Sequence, residues 1–279
     1  MTMSDKIETI GHSTIHHGKE NNRLYLMKLN DLDESTIIEQ IQEIAVDNSY
    51  SKIVAKVPKK FESLFLDNGY KKEASIPNFY KGIEDCLFMC KYLGQERKFL
   101  ENETELQKVL MGAKRKAGSL KASKLQDNLK IQALKPEDIC NMVNLYKKVF
   151  KTYPFPIFDE EYILQTMNEN LMYFGIYKKD ELIAISSSET AKEYSNCEMT
   201  DFAVLPEYRG KNYSIILLQE MEKELKKLNY KVLYTIARAK SYGMNITFSK
   251  LGYKYGGLLV NNTNISGDIE SMNIWYKEI

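Results

Sequence analysis

The chain has 279 residues and carries 39 Lys and Arg against 38 Asp and Glu, a formal net charge of +1. That balance excludes a protein held on nucleic acid by clustered cations, and no run approaches the ~20 apolar residues of a membrane-spanning helix. The opening MTMSDKIETI has no apolar signal region, and Cys86, Cys90, Cys140 and Cys197 are too scattered for a disulfide framework. The expectation is therefore a soluble cytoplasmic protein with no nucleic-acid and no membrane partner.

The length suits two units better than one. His12, His16 and His17 are the only histidines, and no neighbouring cysteine or carboxylate spacing turns them into a metal site, so no metal is expected. Arg23 to Leu29 alternates as a strand. Ile37, Ile38, Ile41, Ile44 and Ala45 then form one helical face. A strand over Lys52–Val57, a short helix over Phe61–Asn68 stopped by Gly69, and two strands around Lys71–Ile76 and Asp85–Tyr92 complete the first unit.

The same order of elements returns in residues 197–277. At a constant offset, Phe65, Gly69, Tyr70, Lys71, Asp85 and Met89 correspond to Phe248, Gly252, Tyr253, Lys254, Asp268 and Met272. A repeated fold unit explains these ungapped identities. Between the copies, residues 94–128 are highly charged, with Phe99, Leu106, Leu110 and Ala113 as a narrow apolar stripe. They read as a helical linker whose Lys114-Arg115-Lys116 run, with Lys121 and Lys124, forms a solvated face.

Lys130–Leu134 opens the second unit as a strand. A helix follows, with Pro136 near its start and Ile139, Val143, Tyr146 and Phe150 on one side. After the stiff loop Tyr153-Pro154-Phe155-Pro156, the strands Tyr173–Tyr177 and Leu182–Ser188 form a hairpin. The next strand carries Met199, Phe202 and Val204 and ends at Pro206. A basic turn, Arg209-Gly210-Lys211-Asn212-Tyr213-Ser214, leads to a helix with apolar Leu217, Leu218, Met221, Leu225 and Leu228. A Gly-containing turn running into a helix N-terminus converges backbone N–H groups on one spot and favours a phosphate there.

The run Val204-Leu205-Pro206-Glu207-Tyr208-Arg209-Gly210 resembles the acetyl-CoA-binding core of the GCN5-related N-acetyltransferases (GNAT). The resemblance implies an α/β fold with a mixed sheet, preceded here by a truncated GNAT-like half. The implied division is a truncated N-terminal domain at 1–93, the linker at 94–128 and a catalytic domain at 129–279. It implies acetyl-CoA as cosubstrate, with Phe202, Ala203 and Val204 meeting pantetheine and residues 209–214 meeting the pyrophosphate. The family's R-G-x-G-x-G/A is altered, since Asn212 stands for a glycine and Ser214 for a small residue. Asn tolerates left-handed backbone angles, and Ser214 is a candidate helix cap or phosphate contact. In the first unit the acidic Asn30-Asp31-Leu32-Asp33-Glu34 occupies the place of this turn, so only the second unit is expected to hold coenzyme.

Acetyl transfer to an amine needs the neutral nitrogen, which a lysine-like ammonium of pKa about 10.4 supplies only about one time in a thousand near pH 7.4. A base is therefore expected. Glu198, six residues before Val204, matches the strand glutamate that serves histone-type family members. By the two-residue period it shares a strand face with Phe202 and Val204, while Asp201, the second candidate, falls on the other face. Glu198 is about 13 Å upstream of Phe202 at ~3.3 Å per residue, so a water relay is the safer form of the assignment. Phe248 takes the place of the family's thiolate-protonating tyrosine. Ser241, Asn245 and Phe248 share a helix face expected to meet the coenzyme. The aromatic loop with Tyr153 and Phe155 borders the acceptor pocket in this family, and Arg238 is a candidate to hold an acceptor carboxylate bidentately.

A wider likeness narrows the family. Ile15-His16-His17-Gly18-Lys19, Arg23 through Lys28, Ile76-Pro77-Asn78-Phe79-Tyr80, Ala237 through Asn245 and the tail Glu270 through Lys277 resemble the β-lysine N6-acetyltransferases. That implies acetylation of the terminal amine of β-lysine to give a compatible solute under osmotic stress. The partner expected is a small-molecule amine and, if any assembly forms, a homodimer. Two alternatives stay open: an acetyltransferase for another small amine (a polyamine or diamino acid), and a non-catalytic acetyl-CoA-binding sensor.

Overall fold

In the computed structural model, which describes residues 5–120, 125–265 and 267–279, the first unit opens with two antiparallel strands, β1 (Lys6–Ile10) and β2 (Ser13–Gly18). The sequence pattern does not reveal this hairpin, because β2 buries Ser13, His16 and His17 among its few apolar residues. Then come β3 (Arg23–Lys28), α1 (Ile37–Asp47), β4 (Lys52–Pro58), α2 (Glu62–Asp67), β5 (Lys71–Tyr80) and β6 (Glu84–Tyr92). Helix α1 buries Ile37, Ile41 and Ala45 at the four-residue spacing that keeps one face inward.

Helix α3 (Glu103–Lys114) lies in the connecting segment and buries Leu106, Val109, Leu110 and Ala113. Phe99 precedes the helix and is exposed, outside the expected stripe. Lys121 and Lys124, like residues 1–4, lie outside the described residues. The second unit runs β7 (Leu129–Ala133), α4 (Ile139–Val149), α5 (Glu160–Glu169), β8 (Leu171–Lys178), β9 (Glu181–Ala191), β10 (Asn196–Val204), α6 (Tyr213–Lys227), β11 (Val232–Arg238), α7 (Tyr242–Lys250), β12 (Lys254–Ile265) and β13 (Asp268–Glu278). Helix α5, which the sequence pattern does not announce, is capped by Asp159, whose side chain accepts the Glu161 N–H at 2.9 Å.

The described strands make one mixed sheet in the order β1-β2-β3-β4-β6-β5-β12-β13-β11-β10-β9-β8-β7. Around its centre the order is mirrored, with β3-β4-β6-β5 meeting β12-β13-β11-β10. Each half has one parallel pair joined by a helix, β3–α1–β4 and β10–α6–β11. The sequence repeat extends to strand register: Lys52 pairs with Tyr92, and their counterparts Thr235 and Trp275 pair likewise. Among the described residues the N-terminal copy has no counterparts of β7, α4 and α5. On this repeat we propose the division 1–93, 94–128 and 129–279, with strands of both halves in a common sheet.

The halves meet at Gly257 and Ala74. A Cβ on Gly256 would stand 2.6 Å from the Ser75 carbonyl, and one on Gly257 2.3 Å from that of Glu73. Only residues without side chains let the two backbones approach so closely. One apolar core lies in each half. A third, with Tyr25, Val54, Phe79 and Phe88 packed with Val232, Tyr234, Met272 and Ile274, joins the halves.

Candidate active site

Strands β10 and β11 pair in parallel only at Asn196–Val232, Cys197–Leu233 and Glu198–Tyr234. Beyond Glu198, β10 stays with β9 as far as Val204 and β11 stays with β13 as far as Arg238. The strands thus diverge and leave two facing backbone edges. A cavity of about 850 Å³ runs through this split, lined by Met199 to Val204 on one side and Thr235 to Arg238 on the other, with Ala203 withdrawn into the core. An unpaired strand edge is suited to an extended ligand with amide groups of its own.

One extra residue in β10 alters which side chains share a face. Glu198 lies opposite Glu189, Thr200 opposite Ser187, and then Ala203 opposite Ile185 and Val204 opposite Ala184. Directly opposed residues point to the same side. Glu198 therefore shares its face with Ser187 and Glu189, while Val204 points to the other side, contrary to the two-residue alternation. Asp201 sits in the bulge at φ +51 and turns onto the Glu198 face, where it accepts hydrogen bonds from Ser187 Oγ and Tyr153 OH, each at 2.5 Å. The expected separation of Glu198 from Asp201 is thus overturned by a bulge.

Burial, then the adjacent Glu189 carboxylate, raises the Glu198 pKa to about 7, with Lys56 pulling the other way. Burial raises Glu189 and Asp201 as well, opposed in Glu189 by Lys56 and in Asp201 by the Ser187 and Tyr153 hydroxyls. Lys56 reaches this cluster from β4 of the other half and donates to Tyr234 OH at 3.2 Å. Burial alone would lower its pKa, but Tyr25 and Glu198 outweigh that and raise it, so Lys56 stays an ammonium.

At the other end of the split, Asn212 adopts φ +63 and Gly210 φ +79. The left-handed turn expected of the altered motif is present with Asn in place of Gly. The helix cap is Asn212, through its backbone carbonyl, which accepts the Ile215 and Ile216 N–H groups; Ser214 lies inside the first turn instead. Arg209, Gly210, Asn212, Tyr213 and Ser214 line the cavity, whereas Lys211 is exposed and stacks over the Tyr208 ring at 5.3 Å. The N-terminal counterpart is closed to an anion: Asp33 accepts Ser13 Oγ at 2.6 Å and the His12 N–H at 2.8 Å.

Ser241 and Phe248 line the cavity, with Phe248 edge-on to Phe202. Asn245 does not. Its Nδ2 donates to the carbonyls of Arg238 and Ser241, and its Oδ1 accepts Asn273 Nδ2 and Trp275 Nε1, each at 2.8 Å. A buried amide with these partners fixes the β11–α7 junction and has nothing left to offer a coenzyme. Arg238 lines the cavity, but its fork is filled by Glu270, Nε to Oε2 at 2.9 Å and Nη2 to Oε1 at 2.6 Å, so it is not a free carboxylate clamp. The three histidines part ways: His12 meets Asp33, His17 meets Glu8 and Tyr50, and His16 packs against Phe155 at 5.0 Å.

Residues 140–253 match the acetyltransferase (GNAT) family. The chain is 42% identical to the β-lysine N(6)-acetyltransferase of Methanococcus maripaludis over 273 residues, 98% of this chain and 98% of the relative. The chain belongs to the GNAT acetyltransferase family. It is also 32% identical to the N-acetyltransferase YodP of Bacillus subtilis, across 96% of each chain. A β-lysine N(6)-acetyltransferase of Methanosarcina mazei is 31% identical, covering 84% of this chain and 94% of the relative.

This acetyltransferase draws part of its cavity wall from the N-terminal half, through Arg23, Tyr25, Met27 and Lys56. Glu189 and Lys56 lie outside every motif of the sequence, while Arg23, Tyr25 and Met27 lie in a stretch that carries the family likeness without an expected site role. The signal for Lys56 is a lysine inside an otherwise apolar strand, Ile53-Val54-Ala55-Lys56-Val57. Among the described residues no helix is long and apolar enough to cross a membrane.

Proposed function

We propose that the protein transfers acetyl from acetyl-CoA to the N6 amine of β-lysine, (3S)-3,6-diaminohexanoate. The observation that carries this reading is the likeness, over 98% of the chain, to a curated enzyme of that activity. It includes the N-terminal half, which walls the cavity.

The residues fit acetyl-CoA. The free edge of β10 suits its amide-bearing pantetheine arm, and the Arg209–Ser214 turn with the α6 N-terminus suits its pyrophosphate. When bound, acetyl-CoA supplies the activated acetyl group. Glu198 takes a proton from the incoming ammonium, directly or through water, its raised pKa matching a base that works near neutrality. Asp201, oriented by Tyr153 and Ser187, adds negative charge on the same face, and Phe202 and Phe248 form an apolar wall. The product loses one positive charge, which suits a compatible solute accumulated in the cytoplasm under osmotic stress.

The test is thiol release from acetyl-CoA with β-lysine, lysine and spermidine as acceptors, with the acetylated nitrogen assigned by NMR. The proposal requires β-lysine to have the highest kcat/KM and acetylation at N6. Preference for spermidine or lysine would replace the acceptor, and no release with any amine would favour a coenzyme-binding sensor.

A further inference from the structure

Arg23 on β3 is buried, 5% exposed, and forms part of the cavity wall. Its Nη1 donates to the Asn262 carbonyl at 2.8 Å and to Thr263 Oγ1 at 3.1 Å. Its Nε is buried with no acceptor, and among the described residues Nη2 has none either. Among the described residues, Lys52 and Arg97 are as deeply buried and are satisfied. Lys52 meets Glu73 at 2.8 Å and the Val260 carbonyl at 2.7 Å. Arg97 commits Nε, Nη1 and Nη2 to Asn261, Ser51 and Asn21.

No described carboxylate completes Arg23. Asp5, whose field reaches it, accepts instead from the Glu20 and Asn21 backbone and from Asn21 Nδ2. His16, driven to a pKa of about 4 by burial and then by Arg23 itself, is neutral and offers no counter-charge. The free Nε–Nη2 edge of a guanidinium has the geometry that accepts a carboxylate side-on, with two parallel hydrogen bonds. Arg23 lies 5.2 Å over the Tyr25 ring, and Tyr25 in turn feels the charges of Lys56 and Glu198. The wall therefore runs from a guanidinium with unmet donors to the cluster of Glu198, Glu189 and Asp201.

We propose that Arg23 binds the carboxylate of the acceptor, making the N-terminal half the part of the enzyme that selects an amino acid over a plain diamine. This rests on the acetyl-transfer reading above and assigns the contact that Arg238, filled by Glu270, does not make.

The experiment compares kcat/KM for β-lysine, lysine and ornithine with their counterparts lacking the carboxylate, 1,4-diaminopentane, 1,5-diaminopentane and 1,4-diaminobutane. It uses wild type, Arg23→Gln and Arg23→Lys, with coenzyme binding measured in each. Wild type is expected to favour the carboxylated member of its preferred pair. Both variants should lose about 10- to 100-fold on that member through KM, the worth of hydrogen bonds to a charge, while the plain diamine changes by less than about twofold. Coenzyme-binding variants that keep the wild-type ratio, or lose both members equally, overturn the assignment. So does a wild type with no preference for the carboxylate, which decides the matter even if neither variant folds. A ratio that collapses as expected on lysine or ornithine rather than β-lysine upholds Arg23 while replacing the proposed acceptor.

Discussion

Glu189 and Glu198 lie directly opposite each other on β9 and β10 and point to the same side of the sheet. Two half-buried carboxylates so placed disfavour each other's ionisation. The cation that relieves them, Lys56, comes from the other half of the chain. This couples the half that carries the Arg209–Ser214 turn to the half that has an acidic segment in its place.

Lys56→Met should therefore move activity along the pH axis. Lys56 lowers the Glu198 pKa, so its loss pushes that pKa above about 7. A base acts when deprotonated, so the rising limb of kcat/KM against pH shifts to higher pH and the rate at pH 7 falls. Coenzyme affinity, measured alongside, should change little. An unshifted limb in a folded variant would mean that Lys56 does not tune the base.

Asn245 separates a structural from a coenzyme role. Asn245→Ala orphans the buried donors of Asn273 and Trp275, at about 1–3 kcal/mol each. Denaturant unfolding should show a loss of that order, with the KM for acetyl-CoA within about threefold of wild type at a temperature where the variant is folded. A large KM effect without loss of stability would restore the coenzyme contact.

Asn212 stands at φ +63, where glycine is at ease and β-branched residues are not. Asn212→Gly should retain stability and coenzyme affinity. Asn212→Val should lose about 1–2 kcal/mol of stability and weaken coenzyme binding as the turn shifts. Equal behaviour of the two variants would show that the left-handed turn is not needed.

Much of this fold is legible because its periodicities are local. The α1 face of Ile37, Ile41 and Ala45, the repeat of Phe65-to-Met89 in Phe248-to-Met272, and the turn at Arg209–Ser214 all follow from spacing and residue type. What escapes is set by distant contacts. The β1–β2 hairpin is held by partners such as Asp33 and Tyr50, which give its polar residues hydrogen bonds that no local pattern announces. The β10 bulge leaves no compositional mark, yet it decides that Glu198 joins Asp201 rather than Val204. Arg238 looks like a free guanidinium until β13 brings Glu270 against it. Lys56 and Arg23 are strand residues of the N-terminal half, and only the third core shows that their face covers the split between β10 and β11.

The most direct measurement is the pH–rate profile of Glu198→Gln with β-lysine as acceptor. If Glu198 is the base, kcat falls by roughly 10²–10⁴-fold at pH 7. The limb near pH 7 disappears, and activity recovers in part at high pH as the amine loses its own proton, with coenzyme affinity unchanged. Near-normal kcat at pH 7 with the limb in place would contradict the assignment.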